Sequence, residues 1–310
     1  MRLDFPLVGP GGEPVDLWRT FVSHGVAELP PMRVDEEARL FEVTVSLPAS
    51  RPRTVRIASG RPGFGQVAIL GRPVGARTAG EAMKAVGHIL RLDEDLSAFY
   101  ERAAADPDLS WVTAGAGRMI RSQTVFEEVV KSICTTNCAW AATIRMVTAL
   151  VEHLGVSAPA APATGPAGRA FPTPEAMAGA GLGFYRDVPR AGYRGAYLLH
   201  LAESVAEGRV DLEILGRAGP EEISDEEVSA RLQALPGVGP YAAAHTMMML
   251  GRYSPLILDS WTRPTYARLR RRKEVKDSAI LRRFRRYDRY AGLAFWLFLT
   301  RDWVEEPPPA

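Results

Sequence analysis

Residues 235–243 read LPGVGPYAA, two glycines around one valine at the mouth of an apolar run, and a lone carboxylate, Asp259, follows in LILDSW. Glycines allow a tight turn and leave main-chain amides uncovered. Amides at the start of a helix point outward, where the dipole favours an anion. Gly237, Val238 and Gly239 are therefore candidate contacts for a phosphate. The competing use of such a turn is a glycine C-cap followed by a new helix, and the hydrophobic-Pro-Gly-hydrophobic-Gly order favours the phosphate. Asp259 also has two uses. A fixed carboxylate stabilises positive charge developing at a reacting carbon and can orient or deprotonate a water. It can equally cap the helix that begins SWTRPTYARL.

Other residue types narrow the chemistry. Cys134 and Cys138 are the only cysteines, so no disulfide framework is implied, and two thiols without nearby histidines make a poor metal site. His245, inside the run after the glycines, reads as a packing residue. The net charge of +2 is unevenly spread. Residues 263–289 hold twelve Arg or Lys against three acids, a local charge of +9 on a chain whose remainder carries −7. Such a stripe suits a polyanion, although a charge run is more often a solvated helix face.

The elements that position these groups divide the 310 residues in two. LFEVTVSLP, RTVRIAS and GQVAIL are β-branched runs between Pro and Gly, and AGEAMKAVGHILRL has helical spacing. Residues 1–94 are therefore expected to form a small antiparallel sheet with one or two helices. From Asp95, which is placed to cap DLSAFYERAAA, the pattern turns helical to the end of the chain, 95–310. TVFEEVVKSICTT and AWAATIRMVTALVEHLG are two helices broken at TNC, and GYRGAYLLHLAESVAEG and SDEEVSARLQAL are two more. An Ala/Pro/Gly-rich stretch at about 155–175 reads as an exposed loop, and EEPPPA as a frayed tail. The fold class is α+β. The longest apolar run, YAGLAFWLFL, is half a membrane span. MRLDFPLVGPGGEP has no signal-peptide character, so a cytoplasmic protein without membrane contact is expected.

The hairpin followed about twenty residues later by Asp259 resembles the helix-hairpin-helix superfamily of base-excision DNA glycosylases. FEEVVKSICTTNCAWAATIRMVTALVEHLG is similar to that family's first core helices, and GYRGAYL to a segment of its 8-oxoguanine branch. The resemblance runs from about Asp95 to Trp303, and the strand-rich first part is similar to the amino-terminal domain of the alkylated-base and 8-oxoguanine branches.

The resemblance implies Asp259 as the catalytic aspartate and damaged double-stranded DNA as the partner of a monomer. It implies no required cofactor, with a structural Na+ or K+ at the main-chain carbonyls of Gln233, Leu235 and Val238. Two cysteines cannot hold an iron–sulfur cluster. Members that cut the strand carry a lysine where this chain has Tyr241, and none of Lys84, Lys131, Lys273 and Lys276 matches, so hydrolysis without β-lyase activity is expected. Tyr241 and Trp296 then match base-pocket aromatics of the alkylated-base branch, with core packing an equal use for Trp296. Asn137, in the break CTTNCAW, falls where the family places the residue that fills the gap left by a flipped base. A helix cap is its competing role. Alkylated bases are the expected substrates. The alternatives are an oxidised purine, on the strength of Asn137 and GYR, and a DNA-binding protein without catalysis.

Overall fold

A computed structural model describes residues 1–48 and 50–304, so the expected frayed tail EEPPPA lies outside the described residues. Five antiparallel strands, β1 (Arg2–Pro6), β2 (Met32–Asp35), β3 (Leu40–Leu47), β4 (Ser50–Ser59) and β5 (Phe64–Ile69), form one sheet in the order β1-β5-β4-β3-β2. The three expected strands are its centre, and the two short outer strands were not expected. Register places Phe41 opposite Ile57 and Val43 opposite Val55, so the alternation puts the β-branched residues on one buried face. Helix α1 (Leu17–Phe21) precedes β2, and α2 (Ala76–Ile89) covers the sheet with Ala79, Ala82, Val86 and Ile89.

The remainder is helical: α3 (Ser97–Ala104), α4 (Val125–Thr135), α5 (Trp140–Leu154), α6 (Pro174–Gly179), α7 (Gly181–Asp187), α8 (Arg194–Ala206), α9 (Glu213–Arg217) and α10 (Asp225–Gln233). After the hairpin come α11 (Pro240–Met249), α12 (Thr262–Leu269), α13 (Asp277–Phe284) and α14 (Ala291–Thr300). The starts follow local chemistry. Asp95 accepts the Ser97 N–H at 2.8 Å, Thr124 caps α4 and Ser224 caps α10. The Ala/Pro/Gly-rich stretch is less exposed than expected. Glu152 Oε1 accepts the Gly165 N–H at 2.7 Å, Ser157 bridges to Arg169, and Ala158 and Ala170 are buried.

Two hydrophobic cores result, and neither follows the expected cut at residue 94. One joins the sheet, α2 and α3 to the end of α11, α12, α13 and α14. The other is built, apart from Leu29, from residues between Val125 and Met247. Helix α11 belongs to both, with Ala242, Ala243 and Met247 in the second core and Met248 and Met249 in the first. Among the described residues no helix is long and apolar enough to cross a membrane.

Candidate active site

The cleft between the two cores is where the chemistry-bearing residues meet. Leu235 and Val238 bury their side chains in the second core and so present the intervening backbone outward. Gly237 has φ +82°, the left-handed region, and a side chain there would strike the Tyr197 ring. Gly239 differs from expectation. Its φ of −90° and ψ of −178° are ordinary extended values, and a Cβ would meet nothing within 4 Å. Only the first glycine is required by the turn. The second is the N-cap of α11, open to whatever approaches its amide.

Asp259 performs its capping role with one oxygen. Oδ1 accepts the N–H groups of Trp261 at 2.8 Å and Thr262 at 2.6 Å, while the Asp259 N–H donates to Thr262 Oγ1 at 2.8 Å. This reciprocal box fixes the carboxylate at the start of α12, and no hydrogen bond to Oδ2 occurs among the described residues. The second oxygen is left for other chemistry.

Two concavities meet at this residue. One, of about 600 Å³, is a slot walled by rings, including Tyr241, Trp261, Trp296, Trp303 and His24. The other is a groove of about 780 Å³ along the hairpin that contains Gly237, Val238, Gly239, Asn137 and Tyr193. Asp259, Tyr241, Ser260, Cys138 and Thr135 line both, so they form the doorway between groove and slot.

Tyr241 stands there 39% exposed, its hydroxyl pushed up to about 12 by partial burial of the phenol and by the Asp259 charge. Trp296 is at once a packed and a slot-lining residue. It lines the slot and is 5% exposed, packed against Trp261 and Trp303 with its indole N–H on Ser23 O at 2.8 Å. Trp140, Tyr241, Trp261 and Trp303 form an exposed aromatic rim, the kind of surface that marks a binding site.

Asn137 does not cap α5, whose N-cap is Ala139. It sits exposed at φ +45°, a conformation asparagine tolerates, with its amide 3.5 Å from the Tyr193 hydroxyl. The GYR segment supports this turn, since Arg194 donates to the Thr136 carbonyl.

His245 does more than pack. The Val26 N–H donates to His24 Nδ1, so the His24 proton lies on Nε2, 3.3 Å from His245 Nδ1. The His245 proton is then on its own Nε2, a buried atom with no partner among the described residues. Burial lowers His24 to about 3, with help from His245, and His245 to about 4, so both rings are neutral. Neither His24 nor the tryptophan pair Trp261 and Trp303 was identified in the sequence, because only tertiary packing brings them to the slot.

The basic segment is less free than its composition implies. Arg283 and Arg286 bind the buried Asp106, Arg270 reaches Asp108, and Arg263 pairs with Asp277. No residue of 263–289 lines the hairpin groove. Cys138 donates to the Cys134 carbonyl, both thiols are free, and no cluster of metal-ligating side chains exists among the described residues.

No family model matches the sequence, and no curated protein matches it. Solved structures do resemble the fold, and among them are DNA glycosylases. The chain is similar to a 3-methyladenine DNA glycosylase from Archaeoglobus fulgidus, with TM-score 0.72 and 19% identity over 97% of this chain and 99% of that one. It is also similar to MBOgg1 in complex with a low-affinity DNA ligand, with TM-score 0.71 and 18% identity over 97% and 96%. A Clostridium acetobutylicum 8-oxoguanine glycosylase/lyase, solved with double-stranded DNA containing cytosine opposite 8-oxoguanine, gives 0.68 and 20% over 94% and 93%. The chain therefore has the helix-hairpin-helix glycosylase fold.

Proposed function

We propose that this protein is a monofunctional DNA glycosylase that hydrolyses the N-glycosidic bond of a damaged base in duplex DNA and leaves an abasic site. The observation that carries the reading is the position of Asp259, with one oxygen fixed by two amides and the other free at the doorway between a backbone-lined groove and a ring-walled slot. A phosphate seated on the hairpin amides places a nucleotide at this doorway, and the base turns into the slot. The C1′–N bond then breaks with its electron pair leaving on the base. The Asp259 carboxylate stabilises the cationic sugar, orients the water that adds to C1′ and accepts the proton that water loses. Asn137 occupies the space the base leaves. The rings favour an electron-poor alkylated base through stacking and cation–π attraction, about 0.5–2 kcal/mol per contact. Asn137 beside Tyr193 supports the second reading, an oxidised purine.

We also propose that the protein acts as a monomer and that a Na+ or K+ bound at the carbonyls of Gln233, Leu235 and Val238 stiffens the hairpin. Neutral oxygens of this kind suit a hard cation, although the Leu235 carbonyl already accepts the Val238 N–H at 3.2 Å.

Asp259→Asn tests the assignment. The amide oxygen can keep both capping bonds while the charge is lost. Single-turnover base release should fall ~10²–10³-fold, about 3–4 kcal/mol, with duplex affinity unchanged. Near-normal turnover would restrict Asp259 to capping.

A further inference from the structure

The floor of the slot is polar. Glu128, Lys131, Ser132 and Thr135 lie at i, i+3, i+4 and i+7 on α4, and all four line the slot. Glu128, Lys131 and Ser132 are buried at 3%, 1% and 8% exposure. Lys131 is committed to Glu127, at 2.6 Å, and to Ser122 Oγ. That ion pair is neutral as a unit, so Glu128 adds a further buried carboxyl, in the field of an Arg91 that is itself paired with Glu94. Ser122 is its one hydrogen-bonding residue among the described residues, with its N–H on Oε1 and its hydroxyl against the same group. A carboxylate can accept about four hydrogen bonds, so lone pairs remain for a group entering the slot. Ser132 accepts from Thr246 Oγ1 at 3.1 Å and keeps its own proton to donate. Beneath the aromatic walls there is thus a carboxyl acceptor and a hydroxyl donor beside it.

We infer that Glu128 reads the flipped base and selects one that carries an N–H donor together with positive charge, an N-alkylated purine whose hydrogen-bonding edge is intact. This rests on the glycosylase reading and deepens it. The walls hold an electron-poor ring of any kind, and the floor decides which edge that ring must present. Ser132 donates to the acceptor beside the base N–H. Leaving a buried carboxylate without its donor, or a base donor without its acceptor, costs about ten- to a hundredfold in rate or affinity. Burial raises the Glu128 carboxyl, with Lys131 opposing, so a cationic guest that offsets the cost of ionisation is favoured over a neutral one.

The test measures single-turnover release of 7-methylguanine (cationic, with N–H), hypoxanthine (neutral, with N–H) and ethenoadenine (neutral, edge blocked) by the parent and by Glu128→Gln. The parent should release 7-methylguanine fastest relative to its spontaneous loss. The variant should lose about ten- to a hundredfold on 7-methylguanine and less on hypoxanthine. It should keep ethenoadenine release within a few-fold and bind an abasic-analogue duplex as the parent does. Glu128→Asp, which keeps the charge but withdraws it by one methylene, serves if the amide variant does not fold. It should slow all N–H-bearing bases while preserving the preference for the cationic one. Equal losses on all three bases, or none on 7-methylguanine, would overturn the inference and leave the glycosylase reading standing. A parent that releases none of the three overturns both.

Discussion

Replacing Gly239 by alanine separates DNA contact from folding. The position has φ −90° and ψ −178°, which any residue adopts, and open space where the Cβ would stand. Alanine is a poorer N-cap than glycine, by about 1 kcal/mol, and recovers roughly half of that or more through lower entropy in the unfolded chain. The melting temperature should therefore stay within about 2 °C of the parent. The added methyl covers the amide that we propose meets a phosphate. Losing one charge-assisted hydrogen bond is worth about 1.5–3 kcal/mol, so Kd for any duplex, damaged or not, should rise about ten- to a hundredfold. No cation is removed, so the slope of log K against log salt should not change. Fluorescence anisotropy across a salt series, paired with thermal melting, gives all three quantities. Gly237→Ala is the contrast. Its φ of +82° and a Cβ only 2.6 Å from Tyr197 Cδ2 predict a less stable protein. Parental affinity in Gly239→Ala would refute the backbone-amide contact.

Further outcomes follow from other parts of the molecule. Borohydride treatment during turnover should trap no enzyme–DNA adduct, since Tyr241 stands at the doorway and the one slot lysine, Lys131, is tied to Glu127 at 2.6 Å; an adduct on Lys131 seen by peptide mapping would reverse this. Burial acts to raise the Asp106 carboxyl, but bonds from Tyr287, Arg283, the Asp108 amide and Arg286 outweigh it and hold the group well below the usual range. Its stabilisation is therefore complete above pH ~4 and lost as pH falls further. Asp106→Asn should cost about 3 kcal/mol in urea unfolding at neutral pH, at the low end for a buried pair because Arg286 is half exposed. His24 and His245, lowered to about 3 and about 4, bind protons in the unfolded chain first. Stability should fall as pH drops below ~6.5, by roughly 2 kcal/mol per ring at pH 5; an unfolding free energy flat from pH 7 to 5 would mean the rings are already charged or solvated.

The hairpin and Asp259 were legible because their chemistry is local. A turn motif, a helix start and a short spacing suffice to place them. The three central strands were legible for the same reason, since their β-branched alternation is continuous. β1 and β2 are short outer strands with little pattern of their own, and β1 ends at Pro6. The slot was only half visible. Tyr241 and Trp296 carry a position, but His24, Trp261 and Trp303 arrive from opposite ends of the chain. The polar stripe on α4 was readable in principle, as Glu, Lys, Ser and Thr at helical spacing among Val and Ile. The basic segment shows the opposite failure. Its charge is plain in the sequence, but Asp106 and Asp108, which occupy Arg270, Arg283 and Arg286, lie some 160 residues earlier or more.

The division of the two cores sets an order of events during synthesis. Residues 125–247 hold nearly all of one core and can collapse as a continuous stretch while the ribosome is still working. The other core cannot be completed early. The sheet closes early under α2, but α3 waits for the segment from α12 to α14, which at ~5–20 residues per second arrives about 3–10 s after α11. During that interval the face of α3 that packs Phe99 on Tyr287 and Tyr290 is exposed, and the nascent chain already displays the hairpin amides without a finished slot. A ribosome-bound chain halted before Trp296 should thus be held by DNA yet release no base, while its uncovered α3 is the segment a chaperone would hold.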